Sequence, residues 1–453
     1  MTFCAARLWA QRFGGPDTCL LRGAEPAEWE RTATCSRAGA RCGAEGAARE
    51  TWVGVATHAV NAVASRAVPA QVAAALIMRS GYRQCATVRR MLLRGPRVVT
   101  PDGVRDSAEV ELADGRIVAV RDERGTGGAT DLGPGWLVPG FVDLHCHGGG
   151  GASFLTTDPD EITRAAAFHA AHGTTAMLAS LVSDDVDVLC AQLDAIAEVV
   201  DTCSTPVVGA HLEGPFLSAA RCGAQNPAHL IDPDPDAFAR MLAAARGNLR
   251  MITIAPELPG ADTVIEAALA AGVVVAIGHT DADVDTAEQA FRHGARVATH
   301  LFNGMPPIHH RAPGPAAAAL ATETLCELIN DGHHLHPAML RMVGPARTLL
   351  ITDAIAAAGA GDGDYRLGGL DVVVANGAAR LRESGSLAGS TLTMDDAVRR
   401  TVTGTGWSVA TTIAAAATNP ANLLDLDRGA IATGLRADLV HLDEDLHVVQ
   451  VFT

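Results

Sequence analysis

From Met91 onward the chain alternates between two kinds of hydrophobic spacing. Short, nearly unbroken apolar runs predict strands buried on both faces, and longer stretches with apolar positions three and four residues apart predict amphipathic helices. The apolar runs fall at 141–147, 174–180, 207–213, 251–255, 273–279, 296–301, 325–330 and 349–353. Helical spacing fills 159–172, 184–201, 235–246, 261–271 and 283–293 between them. Eight strands in alternation with helices predict an α/β chain of the (β/α)8 TIM-barrel class, a parallel ring of strands sheathed by helices.

The flanks read differently. Residues 91–136 alternate apolar and polar positions over short distances, broken by turn residues at Pro101-Asp102-Gly103 and Asp114-Gly115. Residues 380–453 share that style, with a run around Leu439-Val440 and another from Val448 to Phe452. The two ends are expected to join as one small β-sandwich, leaving 137–379 as the barrel. Residues 1–90 show no sustained period apart from an Ala/Val-rich patch over 53–78, and they carry five of the ten cysteines. They read as a mis-assigned upstream extension, with the native start at or near Met91, or else as a disordered tail.

Composition narrows the chemistry. The chain has no lysine; all 35 basic residues are arginine. That excludes Schiff-base and pyridoxal-phosphate attachment, a P-loop lysine, and any lysine-derived ligand bridging two metals. The net charge of −16 argues against a nucleic-acid or anionic-membrane partner. It is unevenly spread, because residues 1–90 carry +6 and residues 91–453 carry −22. No cysteine pair has CxxC spacing, and the longest apolar run near the start, 72–78, is too short for a bilayer. A soluble cytoplasmic protein with reduced thiols is expected.

In a barrel of this class the chemistry sits at the carboxyl ends of the strands. There the sequence has His145 and His147, then His211 and Glu213, then His279, His300 and Asp353. Side chains at i and i+2 of a strand share a face, so His145 and His147 are expected to converge. A single strand-end histidine is unremarkable, and a strand-end aspartate often caps the next helix. Their joint occurrence on five strand ends predicts a catalytic divalent metal site, with imidazole and carboxylate ligands and no thiolate. Glu213, His279 and His300 supply three ligands and leave a position for water. His145 and His147 suit a second cation, with Glu213 between the two. Asp353 is the expected proton acceptor from the water and donor to the leaving group. His211 is expected beside Glu213, Cys146 in the core, and His169, His172 and His293 in solvent.

The segment Pro139-Gly140-Phe141-Val142-Asp143-Leu144-His145-Cys146-His147 and the tail Ala437-Asp438-Leu439-Val440 resemble the amidohydrolase superfamily. Within it, His211-Leu212-Glu213-Gly214-Pro215-Phe216, Gly278-His279-Thr280, His300-Leu301-Phe302-Asn303-Gly304-Met305 and Leu387-Ala388-Gly389-Ser390 resemble the N-acetylglucosamine-6-phosphate deacetylases. The resemblance runs from about Met91 to the C-terminus. It implies metal ligation by Glu213, His279 and His300 and acid/base work by Asp353; the imidazole and carboxylate donors themselves suit zinc, iron, manganese or cobalt, zinc or iron above the others. Members that replace the first two histidines use one metal; this chain keeps both. The resemblance also implies substrate contacts at Ala224, Gln225, Asn303, Gly304, Arg311, Asp331, His334, Leu387, Ala388 and Gly389. Arg311 suits a phosphate, and His334 an acetamide carbonyl or a sugar hydroxyl. A homodimer acting on a phosphorylated amino sugar is the expectation. The alternatives are an N-acetylgalactosamine-6-phosphate or N-acyl amino acid hydrolase, and a non-catalytic scaffold.

Overall fold

The computed structural model describes residues 90–122, 128–202 and 205–453. The expected N-terminal extension lies, up to residue 89, outside the described residues. Eight parallel strands form one sheet in sequential order: β1 (Phe141–Asp143), β2 (Thr174–Val182), β3 (Val207–Glu213), β4 (Leu249–Ile254), β5 (Val274–Ile277), β6 (Val297–Ala298), β7 (Leu325–Leu328) and β8 (Thr348–Leu350). The ring closes between its first and last members through the parallel bridge of Cys146 to Ala354. Helices α1 (Pro159–Ala171), α2 (Val186–Asp201), α3 (Pro235–Ala244), α4 (Ala261–Ala270), α5 (Val284–Arg292), α6 (Gly314–Ala321) and α7 (Pro337–Val343) connect consecutive strands. The (β/α)8 class expected from the spacing is therefore the fold.

Local chemistry sets the helix starts. Asp158 and Asp234 each accept a backbone N–H two residues on, and a proline fills the first helical position of both α1 and α3. Proline has no N–H to lose there and its φ already suits a helix. Along β2, Ala176 and Leu178 pack with Val142, Met251, Ala276 and Leu349 inside the barrel, while Met177, Ala179 and Leu181 pack outward with Ile162, Leu189 and Leu193 of the helices. This two-residue alternation puts Ser180 beside His211, and Val182 beside Glu213, on the inward side. The barrel interior thus changes from apolar at its base to polar at its mouth.

The boundary expected at 380 falls within a three-stranded antiparallel sheet, Gly363–Leu367, Leu370–Ala375 and Ala378–Leu381. The chain then returns to the barrel as α8 (Met394–Thr405), the eighth helix of the ring, before the last strands begin at Leu439. Val372, Val374 and Ala379 of that small sheet pack on Val182 and Ile355 at the barrel mouth. The flanking β-domain is two sheets that share one core. Leu93, Val110 and Ile117 from the four-stranded sheet meet Val98, Leu137 and Leu439 from the five-stranded one. Among the described residues no helix is long and apolar enough to cross a membrane.

Candidate active site

Glu213 is the last residue of β3, and the turns that follow β5, β6 and β8 deliver His279, His300 and Asp353. These three residues have φ of +46°, +26° and +48°. Non-glycine residues in that region cost of order 1–3 kcal/mol each and persist only where the surroundings hold them. Hydrogen bonds do so here. The His279 carbonyl accepts from Ser218 N at 2.9 Å, Asp353 N donates to the His145 carbonyl at 2.8 Å, and Ser390 N donates to the Asp353 carbonyl at 2.7 Å. Each tight turn brings its side chain back over the barrel mouth. Gly304, at φ +61°, lies so close that a Cβ there would stand 2.9 Å from His279 Nδ1.

Beyond β1 the chain bends at Leu144 and is then pinned beside the turn after β8 by the Cys146–Ala354 bridge. The expected same-face arrangement follows: the Nε2 atoms of His145 and His147 are 3.2 Å apart. His147 Nδ1 faces the Ser180 carbonyl at 3.1 Å and His145 Nδ1 faces Glu327 Oε2 at 3.2 Å. His279 Nδ1 faces the Arg221 carbonyl at 2.9 Å. These acceptors assign the ring proton to Nδ1 in all three, which turns the Nε2 lone pairs inward.

Two donor clusters result. Glu213 Oε1, His279 Nε2 and His300 Nε2 form a triangle with sides of 3.0 Å. His145, His147 and Asp353 form the second, with His147 Nε2 at 3.2 Å from Asp353 Oδ1. Glu213 Oε2 stands between them, 3.5 Å from His145 and 3.4 Å from His147. Lone pairs converging on a carboxylate with no proton to share are the donor set of a borderline divalent cation, so the residues fit a metal. With no cation bound, burial would raise the Glu213 carboxyl, but imidazoles that take up a proton at the nitrogens a cation would otherwise occupy outweigh it and hold the group well below the usual range. Asp353 is lowered too: burial opposes, and His145 and His147 prevail. The site is built for anions beside cations.

A cavity of about 290 Å³ opens onto these groups, with His147, Glu213, Ala224, Gln225, His279, His300, Asn303, Gly304, His334, Asp353, Leu387 and Gly389 on its walls. Its size suits one small polar ligand. His334 Nδ1 is held by Asp331 Oδ2 at 2.8 Å, while Asp331 Oδ1 accepts from the backbone of His333 and His334. Burial would lower this imidazole, but the Asp331 partner raises it.

Other expected residues stand elsewhere. Asp331 lines a separate recess of about 110 Å³ together with His333, and Ala388 is buried in the core beneath the three-stranded sheet at the barrel mouth. Arg311 lies on an exposed loop, its guanidinium against His310 and away from the cavity wall. Gln225 bonds Glu213 Oε2 at 2.8 Å, so it touches that carboxylate as well as the cavity. His211 lies beneath the cluster, between Ser180 Oγ at 3.0 Å and Thr253 Oγ1 at 2.9 Å. His169, expected in solvent, is instead fully buried, with Nε2 2.9 Å from the Gly148 carbonyl. It completes the inward stripe of Ile162, Ala165 and Ala166 on α1, so helical position overrides its polarity. Glu327 escaped sequence reasoning because it is not at a strand end. The signal was there, as a carboxylate inside the apolar run Leu325-Cys326-Glu327-Leu328-Ile329.

The Amidohydrolase family pattern matches residues 136–452. An N-acetylgalactosamine-6-phosphate deacetylase of Escherichia coli O157:H7 is 35% identical over 369 residues, covering 80% of this chain and 97% of the relative. The N-acetylglucosamine-6-phosphate deacetylase of Bos taurus is 36% identical over 404 residues, covering 85% and 94%. Among solved structures, an N-acetyl-D-glucosamine-6-phosphate deacetylase from Mycobacterium smegmatis superposes with a TM-score of 0.77 at 43% identity, covering 80% of this chain and 98% of that one. A substituted form of the Mycobacterium smegmatis enzyme in complex with N-acetyl-D-glucosamine-6-phosphate gives 0.78, also at 43% identity, with 80% and 97% covered. The chain belongs to the amidohydrolase family, within the group that includes the N-acetylglucosamine- and N-acetylgalactosamine-6-phosphate deacetylases.

Proposed function

We propose that the chain hydrolyses the acetamide of N-acetyl-D-glucosamine 6-phosphate to D-glucosamine 6-phosphate and acetate, as a cytoplasmic homodimer. The observation that carries this reading is the three-donor triangle of Glu213, His279 and His300 facing Asp353 across one small cavity. Glu213, His279 and His300 would hold a catalytic zinc or iron ion, and His145 and His147 a second, with Glu213 shared. A bound divalent cation lowers the pKa of water from about 15.7 to about 7 and polarises a carbonyl.

The chain's own residues do the rest. Asp353 accepts the proton of the attacking water at its carboxylate and returns it to the amide nitrogen as the C–N bond breaks. His334, kept protonated toward the cavity by Asp331, donates to the carbonyl oxygen as negative charge develops there. Gln225 and the Ser183 backbone hold the Glu213 side of the cavity in place. The galactosamine epimer is the second reading, supported by the relatives of that name in Escherichia coli and Shewanella.

Metal analysis coupled to deacetylation assays tests the proposal. Purified protein is expected to carry divalent metal and to release acetate from one or both 6-phosphates much faster than from unphosphorylated N-acetylglucosamine. A chelator should abolish turnover and added zinc or iron should restore it. Metal-replete protein that turns over neither phosphorylated epimer overturns the reading.

A further inference from the structure

Glu327 is fully buried on β7, at an inward position between Leu325 and Ile329 where its neighbours predict another aliphatic residue. One oxygen, Oε2, serves both halves of the metal-binding cluster. It accepts from His145 Nδ1 at 3.2 Å and from the His300 backbone N–H at 3.3 Å. The Glu327 carbonyl also receives the backbone N–H of Leu301 at 2.9 Å. The other oxygen, Oε1, is buried with no hydrogen-bond partner among the described residues. A buried carboxylate left half satisfied destabilises a fold, so packing does not account for it.

We infer that Glu327 is a positioning residue for a second cation: it fixes the His145 ring with its Nε2 lone pair turned toward Glu213 and Asp353, and so makes the His145–His147 pair a competent ligand set. A ring whose Nδ1–H is held by a carboxylate cannot rotate away or shift its proton to Nε2, and its ligating nitrogen becomes more basic. The contact to His300 is to the backbone alone. The His300 ring gains no such control, and its backbone stays tied to β7 through the Leu301 N–H and the Glu327 carbonyl whatever the side chain, so the Glu213–His279–His300 triangle does not depend on the Glu327 charge. The inference rests on the two-cation reading above and adds which residue decides whether the second site fills.

Cobalt titration of metal-free protein provides the test, read by bound metal per protomer and by visible absorption. Wild type is expected to bind two Co²⁺ ions. Glu327→Leu, which removes the acceptor, should weaken one of them about 10–100-fold, with the first bound as in wild type. Glu327→Gln keeps a weaker, uncharged acceptor and should fall between the two, which also decides the matter where the leucine variant does not fold. Equal weakening of both ions, or two ions bound as tightly as in wild type, overturns the positioning role. A wild-type protein saturating at one ion overturns the two-cation reading instead, and this inference with it.

Discussion

His279, His300 and Asp353 are set by strained backbone rather than by the strands that precede them. Strand ends were legible because a polar residue closing an apolar run stands out, and because the barrel class fixes which end carries chemistry. The turns themselves were not legible, since a positive φ at a histidine or aspartate leaves no mark in a hydrophobic pattern. Glu327 was hidden for the converse reason: a lone charge within a strand reads as an interruption until its partners are known. Asp353 lies in the His145–His147 cluster, outside the Glu213 triangle. Asp353→Asn should therefore keep the metal held by Glu213, His279 and His300 while losing about 100- to 10,000-fold in kcat, the usual range for a general acid/base. Metal content beside steady-state kinetics checks this, and a variant turning over near the wild-type rate would remove Asp353 from the role.

At the level of elements, helix starts were readable to within a residue or two because capping aspartates and first-turn prolines have local signatures. Polarity is the wrong guide at α1, where His169 lies on the buried stripe and not in solvent. Its burial has a measurable consequence. Burial pushes the His169 imidazole down to about 4, only partly offset by the Gly148 carbonyl. In the unfolded chain it titrates near 6.5, so below that pH the unfolded state takes up a proton that the folded state refuses. Stability from this residue is complete above pH 6.5 and falls as pH drops toward 4, by about 3 kcal/mol in all. Asp143 works in the opposite sense over much of the same range. Burial raises it from 3.8 to about 6, so the folded state gains as pH falls. A difference experiment separates them. The gap in unfolding free energy between wild type and His169→Gln, from denaturant titrations of the metal-free proteins, should narrow by about 3 kcal/mol between pH 7 and pH 4. Parallel curves would show that His169 titrates normally.

For the whole molecule, the division between barrel and flanking β-domain was legible in character, because both ends of the chain change period together. The three-stranded sheet at 363–381 was not, since it interrupts the last strand–helix unit and resembles the flanks in pattern. The same scale governs the phosphate. Among the described residues no arginine lines the cavity, and His334, the imidazole kept protonated there by Asp331, serves the acetamide carbonyl, so a phosphorylated sugar lacks a guanidinium partner there within one chain. Arg311 has the right chemistry on the wrong surface: its loop projects into solvent beside the exposed Ile308. If a second copy of the chain covers that loop, Arg311 reaches the neighbour's substrate and each active site is shared. Arg311→Ala should then lower kcat/KM for the 6-phosphate by about 10- to 100-fold, the worth of one or two charge-assisted hydrogen bonds, and leave unphosphorylated sugar unaffected. Mixing decides between one chain and two. Equal amounts of Arg311→Ala and Asp353→Asn protein, dissociated and reassembled, should regain activity that neither has alone, because half of the dimers then contain one site with both groups intact. Activity that stays at the sum of the two separate variants would confine Arg311 to its own subunit.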